Sequence, residues 1–140
     1  MHLPKLQDKG EIMFKNAPVF TSFSIKDLAK AQEFYGTTLG LNVEKMSIGL
    51  SIKLNGGGDV FLYPKQDHEP ATFTVLNFKV NDIDAAVDEL TSKGVEFEQY
   101  TGDIATDEKG IMRSPDPTRG PTIAWFKDPC GNILSVLQEK

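Results

Sequence analysis

The chain carries one motif twice. Phe23-Ser-Ile-Lys-Asp27-Leu-Ala-Lys-Ala31 returns as Phe78-Lys-Val-Asn-Asp82-Ile-Asp-Ala-Ala86, at an offset of 55 positions. Each copy runs a short alternating strand into an Asp, and the Asp into a helix with small and apolar residues at helical spacing. Gly40-Leu41 and Gly94-Val95 close the two helices almost in register. Two copies of one strand–helix unit are too few for a solenoid, so they must bury their apolar faces against each other. At 140 residues the chain has room for one ordinary domain.

Around the repeated motif, strands and turns follow from local chemistry. Val19 to Ile25 is β-branched or aromatic at most positions and reads as strand one. Asp27 caps the next helix, whose apolar stripe is Leu28, Ala31, Phe34, Tyr35 and Leu39. Gly40 is its left-handed stop. Leu41 to Met46, Leu50 to Leu54 and Val60 to Tyr63 read as three strands, the last two joined at Asn55-Gly-Gly-Gly58. Pro64 to Pro70 is a connector.

The second unit repeats the order, with a strand over Phe73 to Val80, a helix from Asp82 to Ser92 and a strand over Val95 to Tyr100. A polar loop from Thr101 to Gly120 precedes the closing strands, Thr122 to Lys127 and Asn132 to Gln138. Asp128-Pro-Cys-Gly131 is a turn with Pro at its second position and Gly where a positive φ is easiest. The expected organisation is an N-terminal arm over residues 1–16 and one domain over 17–140, with modules at about 17–65 and 71–139.

Composition excludes several functions. A net charge of −5 with interspersed signs argues against nucleic acid as a partner. No run approaches the roughly 20 apolar residues of a membrane span, and no leader-like apolar stretch follows the N-terminus. One cysteine rules out an intrachain disulfide and fits a cytoplasmic location.

The doubled βαβββ order resembles the vicinal oxygen chelate superfamily, which includes glyoxalase I, bleomycin-resistance proteins and extradiol dioxygenases. The resemblance covers about Pro18 to Gln138. Ile25-Lys-Asp27, Phe34-Tyr35 with Leu39-Gly-Leu41, and Phe126-Lys-Asp-Pro-Cys-Gly-Asn132 carry it. It implies an α+β fold in which two βαβββ modules form a curled, eight-stranded, half-open barrel with helices outside. Active members hold a divalent metal with one ligand from each of four strands. Aligned through Asp27, Asp82 and Asp128-Pro129, those places hold Phe20, Leu62 (or its neighbour Tyr63), Val75 and Ser135. Hydrocarbon side chains offer a cation no lone pair, and a catalytic site needs about three ligands from His, Asp, Glu or Cys. The metal site is therefore expected to be lost, with no metal or other cofactor bound.

Other residues suggest chemistry. Ser22 and Ser24 alternate with Phe23 and Ile25, so they should face the cavity, as should Asn77 and Lys79 in the second unit. Ser22 and Asn77 are the better-placed ligand donors. Trp125 could stack on an aromatic ligand or pack at an interface. Tyr63 and Tyr100 end strands and could line the mouth with hydroxyl donors. Arg113 in the long loop is a candidate for an anionic group. Cys130 has no histidine in sequence reach to make a thiolate, and His68, between Asp67 and Glu69, reads as a surface residue with general-base chemistry as the rival. The leading expectation is a homodimeric, metal-free protein binding a small, mostly apolar or aromatic molecule in its barrel cavity, as in the bleomycin-resistance branch. A lyase or isomerase of the glyoxalase type is the alternative, and a fold kept for association alone is the third.

Overall fold

A computed structural model of the chain describes residues 13–56 and 58–139. Most of the expected N-terminal arm lies outside the described residues. Its last residues form an exposed 3-10 turn, Phe14–Asn16.

The repeat is realised as two sheets of identical topology. The first contains β1 (Thr21–Ile25), β2 (Asn42–Met46), β3 (Gly49–Lys53) and β4 (Asp59–Pro64), in the order β1-β4-β3-β2. The second contains β5 (Thr74–Lys79), β6 (Ile111–Met112), β7 (Thr122–Lys127) and β8 (Ile133–Gln138), in the order β5-β8-β7-β6. In each sheet the first and last strands are parallel and the rest antiparallel. No ladder joins the two sheets among the described residues, so the eight strands form a half-open α+β assembly of two βαβββ units, not a closed barrel.

The helices begin alike. Asp27 accepts from the backbone N–H of Lys30 at 3.0 Å and caps α1 (Leu28–Glu33). Asp82 accepts from that of Ala85 at 3.1 Å and caps α2 (Ile83–Ser92). From Phe34 to Thr38 the first helix widens into a π turn, where Leu39 N–H reaches Phe34 C=O at 2.8 Å. Gly40, at φ 70°, ends it as expected. Ala31 and Tyr35 from the first helix, and Ile83, Val87 and Leu90 from the second, enter one apolar cluster with Ile25, Leu62, Leu76, Phe126 and Leu134. Both modules therefore share a core.

The strand expected over Val95 to Tyr100 does not form. Only a single bridge, Phe97 to Phe126, and the bond from Glu98 N–H to Trp125 C=O at 2.8 Å lie along β7 there. Tyr100 turns away because Thr106 takes both its backbone groups. The Thr106 hydroxyl accepts from Tyr100 N–H at 2.9 Å, and Thr106 N–H donates to Tyr100 C=O at 3.0 Å. The chain rejoins β7 at Ile111–Met112, inside the segment expected to be loop, opposite Ala124 and Ile123. The edge of β7 is thus covered by one strand interrupted by an excursion. Gly110 closes that excursion at φ 87°, where an added Cβ would lie 2.6 Å from the Phe97 side chain.

Candidate functional site

Strand parity sorts the candidate residues. In the parallel β1·β4 register, Ser22 lies opposite Phe61 and Ser24 opposite Tyr63, while Phe23 lies opposite Leu62. Successive side chains alternate between faces. Phe23, Ile25 and Leu62 point into the helix-covered core, and Ser22, Ser24 and Tyr63 point the other way. Leu62 is wholly buried in the core, so at the position matched to Leu62 or Tyr63 it is Tyr63 that shares a face with Ser22.

A cavity of about 390 Å³ opens between the modules, lined by Ser22, Ser24 and Tyr63 from the first and by Phe73, Val75 and Asn132 from the second. Val75 sits where the β5·β8 register shifts between Thr74 and Leu76, a bulge of the kind that re-aims a side chain. Phe20 precedes β1 beside cavity-lining Thr21 and is 67% exposed.

The remaining candidates lie elsewhere. Asn77, Ser135 and Trp125 share one face of the second sheet through the register Asn77 to Ser135 to Trp125. The Ser135 hydroxyl donates to Asn77 Oδ1 at 2.5 Å, and Tyr100 meets the indole edge-on at 5.3 Å. These residues adjoin Val75 along the sheet but do not line the cavity. Arg113 is farther away, against α2. Its guanidinium donates to both Asp84 carboxylate oxygens, at 3.0 and 2.7 Å, and to Asp107 at 3.0 Å. The fork that could have met an anionic ligand instead pins the 101–120 loop to α2.

That anchor has a pH signature. Hydrogen bonds from Arg113 and then Lys109 hold the Asp84 carboxyl well below the ordinary carboxylate range. A depressed acid stabilises fully above its unfolded value of about 3.9, and the contribution is lost as pH falls through the folded one. Arg113→Ala is expected to speed amide exchange at Thr106 and Ile111 at neutral pH. Wild type and variant should converge under strong acid, and equal exchange at pH 7 would remove the anchoring role.

The sequence places His68 in the connector as a surface residue, with a general base at the cavity mouth as the rival reading. Lys65 N–H donates to Ile25 C=O at 2.9 Å and His68 N–H to Lys65 C=O at 3.0 Å, which folds the connector back along the end of β1. His68 Nδ1 then lies 2.6 Å from Ser24 Oγ, and Nε2 lies 2.9 Å from the carbonyl oxygen of Cys130.

Beneath this, a buried knot joins the modules. Asp128 accepts from the Tyr35 hydroxyl at 2.7 Å, from Asn132 Nδ2 at 3.0 Å, and from the backbone N–H groups of Cys130 and Asn132 at 2.7 and 3.0 Å. Asn132 also donates to Ser24 C=O at 2.9 Å. Burial and then the Asp128 charge push the Tyr35 hydroxyl well above its ordinary range, so it serves only as a donor. The Phe126–Asn132 segment that carries the resemblance is therefore a structural joint.

A model of the Glyoxalase/Bleomycin resistance protein/Dioxygenase superfamily matches residues 19–136. The chain belongs to this superfamily. No curated protein matches it. Its fold is similar to that of a superfamily member from Sphaerobacter thermophilus, with a TM-score of 0.66 and 23% identity over 89% of this chain and 99% of the other. It is similar to TnmS3, an antibiotic binding protein from a Streptomyces species, with a TM-score of 0.61 and 22% identity over 88% and 97%. It is also similar to the fosfomycin resistance protein FosX from Mesorhizobium loti, with a TM-score of 0.59 and 13% identity over 88% and 92%. At these identities the likeness is one of fold.

The superfamily's metal does not fit the donors present. Phe20 and Val75 are hydrocarbon, Tyr63 offers a phenol, and the Ser135 hydroxyl is engaged with Asn77. Among the described residues no three of His, Cys, Asp or Glu gather where they could hold a metal ion. A divalent ion at the superfamily position would lack the three converging ligands it needs.

Proposed function

We propose that this superfamily member binds a small, mostly apolar or aromatic molecule, without a metal, in the cavity between its modules. The lining carries this reading. Phe73 and Val75 give contact area, the hydroxyls of Ser22, Ser24 and Tyr63 give orientation, and the metal-ligand positions hold groups unsuited to a cation. Thr21, Glu69, Thr74 and Asn132 complete the polar part of the lining, and apolar contacts with placed polar groups are what ligand sites generally show. That an antibiotic binding protein shares the fold is consistent with this use. No helix among the described residues is long and apolar enough to cross a membrane, in keeping with the proposed cytoplasmic location. Nucleic acid is not proposed as a partner, given the negative net charge.

A thermal-shift screen of aromatic metabolites and antibiotics tests the reading. A true ligand at 100 times its Kd is expected to stabilise the fold by about 2.7 kcal/mol. Phe73 is 67% exposed in the free protein, so Phe73→Ala should leave the unliganded melting temperature unchanged. It should weaken a confirmed ligand about tenfold, roughly 1.4 kcal/mol of lost contact. A hit whose affinity ignores Phe73→Ala and Val75→Asp binds elsewhere.

The alternative, a lyase or isomerase of the glyoxalase type working by side-chain acid–base chemistry, draws on the Ser24–His68 pair. Turnover of a carbonyl substrate that is lost in His68→Gln would favour it. The shared core supports residues 17–140 as one folding unit with modules at 17–65 and 71–139. Exposed Phe14, Val19 and Phe20 supply apolar surface for the proposed homodimer. Light scattering at micromolar concentration should give twice the 15.5 kDa chain mass, and the monomer mass would reject it.

A further inference from the structure

A carbonyl oxygen can only accept a hydrogen bond. Facing Cys130 C=O at 2.9 Å, His68 Nε2 must therefore carry a hydrogen. In the neutral ring this leaves Nδ1 as a bare acceptor, and the group 2.6 Å from it is the Ser24 hydroxyl, which must donate. The imidazole is thus held in one tautomer by an acceptor behind it and aimed at a hydroxyl in front. This is the arrangement that makes a serine nucleophilic, with a backbone carbonyl where a carboxylate often stands. Ser24 lines the 390 Å³ cavity and shares its face of β1 with Ser22 and Tyr63.

We propose that Ser24 is a nucleophile activated by His68, and that the cavity takes small activated esters whose acyl group passes to Ser24 and then to water. Ser24 Oγ attacks the ester carbonyl carbon as its proton moves to Nδ1. The adduct collapses by breaking the bond to the leaving oxygen, and the departing alcohol takes the proton from Nδ1. Water then attacks the acyl carbon and gives a proton to Nδ1. The bond to Oγ breaks, Ser24 recovers its proton, and a carboxylic acid leaves. One water is consumed and nothing is oxidised or reduced. Cys130 C=O, held in a turn by the Asp128 knot, stabilises the imidazolium formed at each step. Ser22 and Tyr63 supply hydroxyl donors on the same face of the sheet for charge developing on the carbonyl oxygen.

This step goes beyond binding, and its test has a separate readout. The full chain is treated with an alkyl fluorophosphonate, which traps an activated serine as a stable adduct, and its peptides are mapped by mass spectrometry. p-Nitrophenyl acetate gives the acylation rate. The expected result is one phosphonyl group on Ser24, no labelling of Ser24→Ala, and acylation slowed at least about 100-fold in His68→Gln. Gln keeps a donor for Cys130 C=O, and circular dichroism confirms that both variants are folded. The wild-type chain alone already decides: no adduct on Ser24, or label only on lysine or tyrosine, overturns the proposal. Equal acylation rates in wild type and His68→Gln would also overturn it. Aromatic ligand binding in the thermal-shift screen can survive or fail independently of either outcome.

Discussion

Phe126→Ala is expected to destabilise the fold by about 3–5 kcal/mol, the range for removing a buried aromatic ring without collapse of the site. Phe126 has no solvent exposure. Its ring centre lies 5.4 Å from that of Phe97 and 6.3 Å from that of Phe34. Those partners come from different modules, Phe34 from the π turn after α1 and Phe97 from the segment bridged to β7. Its loss would therefore open a cavity at the junction of the modules, which neither sheet can fill by shifting alone. Phe34→Ala should cost less, because Phe34 is already half-buried and in contact with Tyr35 edge-on at 5.2 Å. Urea denaturation of both variants checks the ranking. A Phe126→Ala shift below about 1 kcal/mol, or a larger loss in Phe34→Ala, would mean that the modules are held together elsewhere.

The parts of the structure written in local chemistry were legible in the sequence. Asp27 and Asp82 signal helix starts because a carboxylate before an apolar-periodic run has orphan N–H groups to satisfy, and both cap as expected. The equivalence of the two sheets follows from the 55-residue repeat. Alternation in Ser22-Phe-Ser-Ile25 gave the two faces of β1. What period alone could not give was competition between distant groups. Val95 to Tyr100 has strand composition, yet Thr106 takes the Tyr100 backbone, and no local rule foretells that. Parity could not choose between Leu62 and Tyr63 until the β1·β4 register was known. Arg113 is spent on Asp84 and Asp107, partners 29 and 6 residues away. His68 meets Ser24 across 44 residues because β4 runs parallel to β1 and delivers the connector to its end. Once a parallel pairing of those strands is assumed, that meeting is the one signal in the sequence that could have found the pair.

Asp128→Ala is the second large effect expected, about 3–5 kcal/mol. Asp128 is 4% exposed, and its removal takes the acceptor from the Tyr35 hydroxyl, from one of the two bonds of the Asn132 amide and from two backbone N–H groups. Each buried donor left without an acceptor costs about 1–3 kcal/mol, with some recovered where water enters. Tyr35→Phe removes a single bond to a charged acceptor and should cost about 1.5–3 kcal/mol at pH 8. The two variants differ in a way that pH exposes. Burial and the Asp128 charge raise the Tyr35 hydroxyl far above its unfolded value of about 10. A group whose folded value is raised contributes in full below the unfolded value and loses that contribution as pH climbs toward the folded one. Above pH 10 the unfolded chain sheds the Tyr35 proton while the native state keeps it. Wild type should then lose about 1.4 kcal/mol per pH unit that Tyr35→Phe does not lose. Urea unfolding at pH 8 and pH 11 should show the advantage of wild type over Tyr35→Phe shrinking by about 1.4 kcal/mol. A difference that stays constant over that interval would mean that Tyr35 is not held neutral against Asp128, and that the joint between the modules draws its stability from the apolar contacts around Phe126.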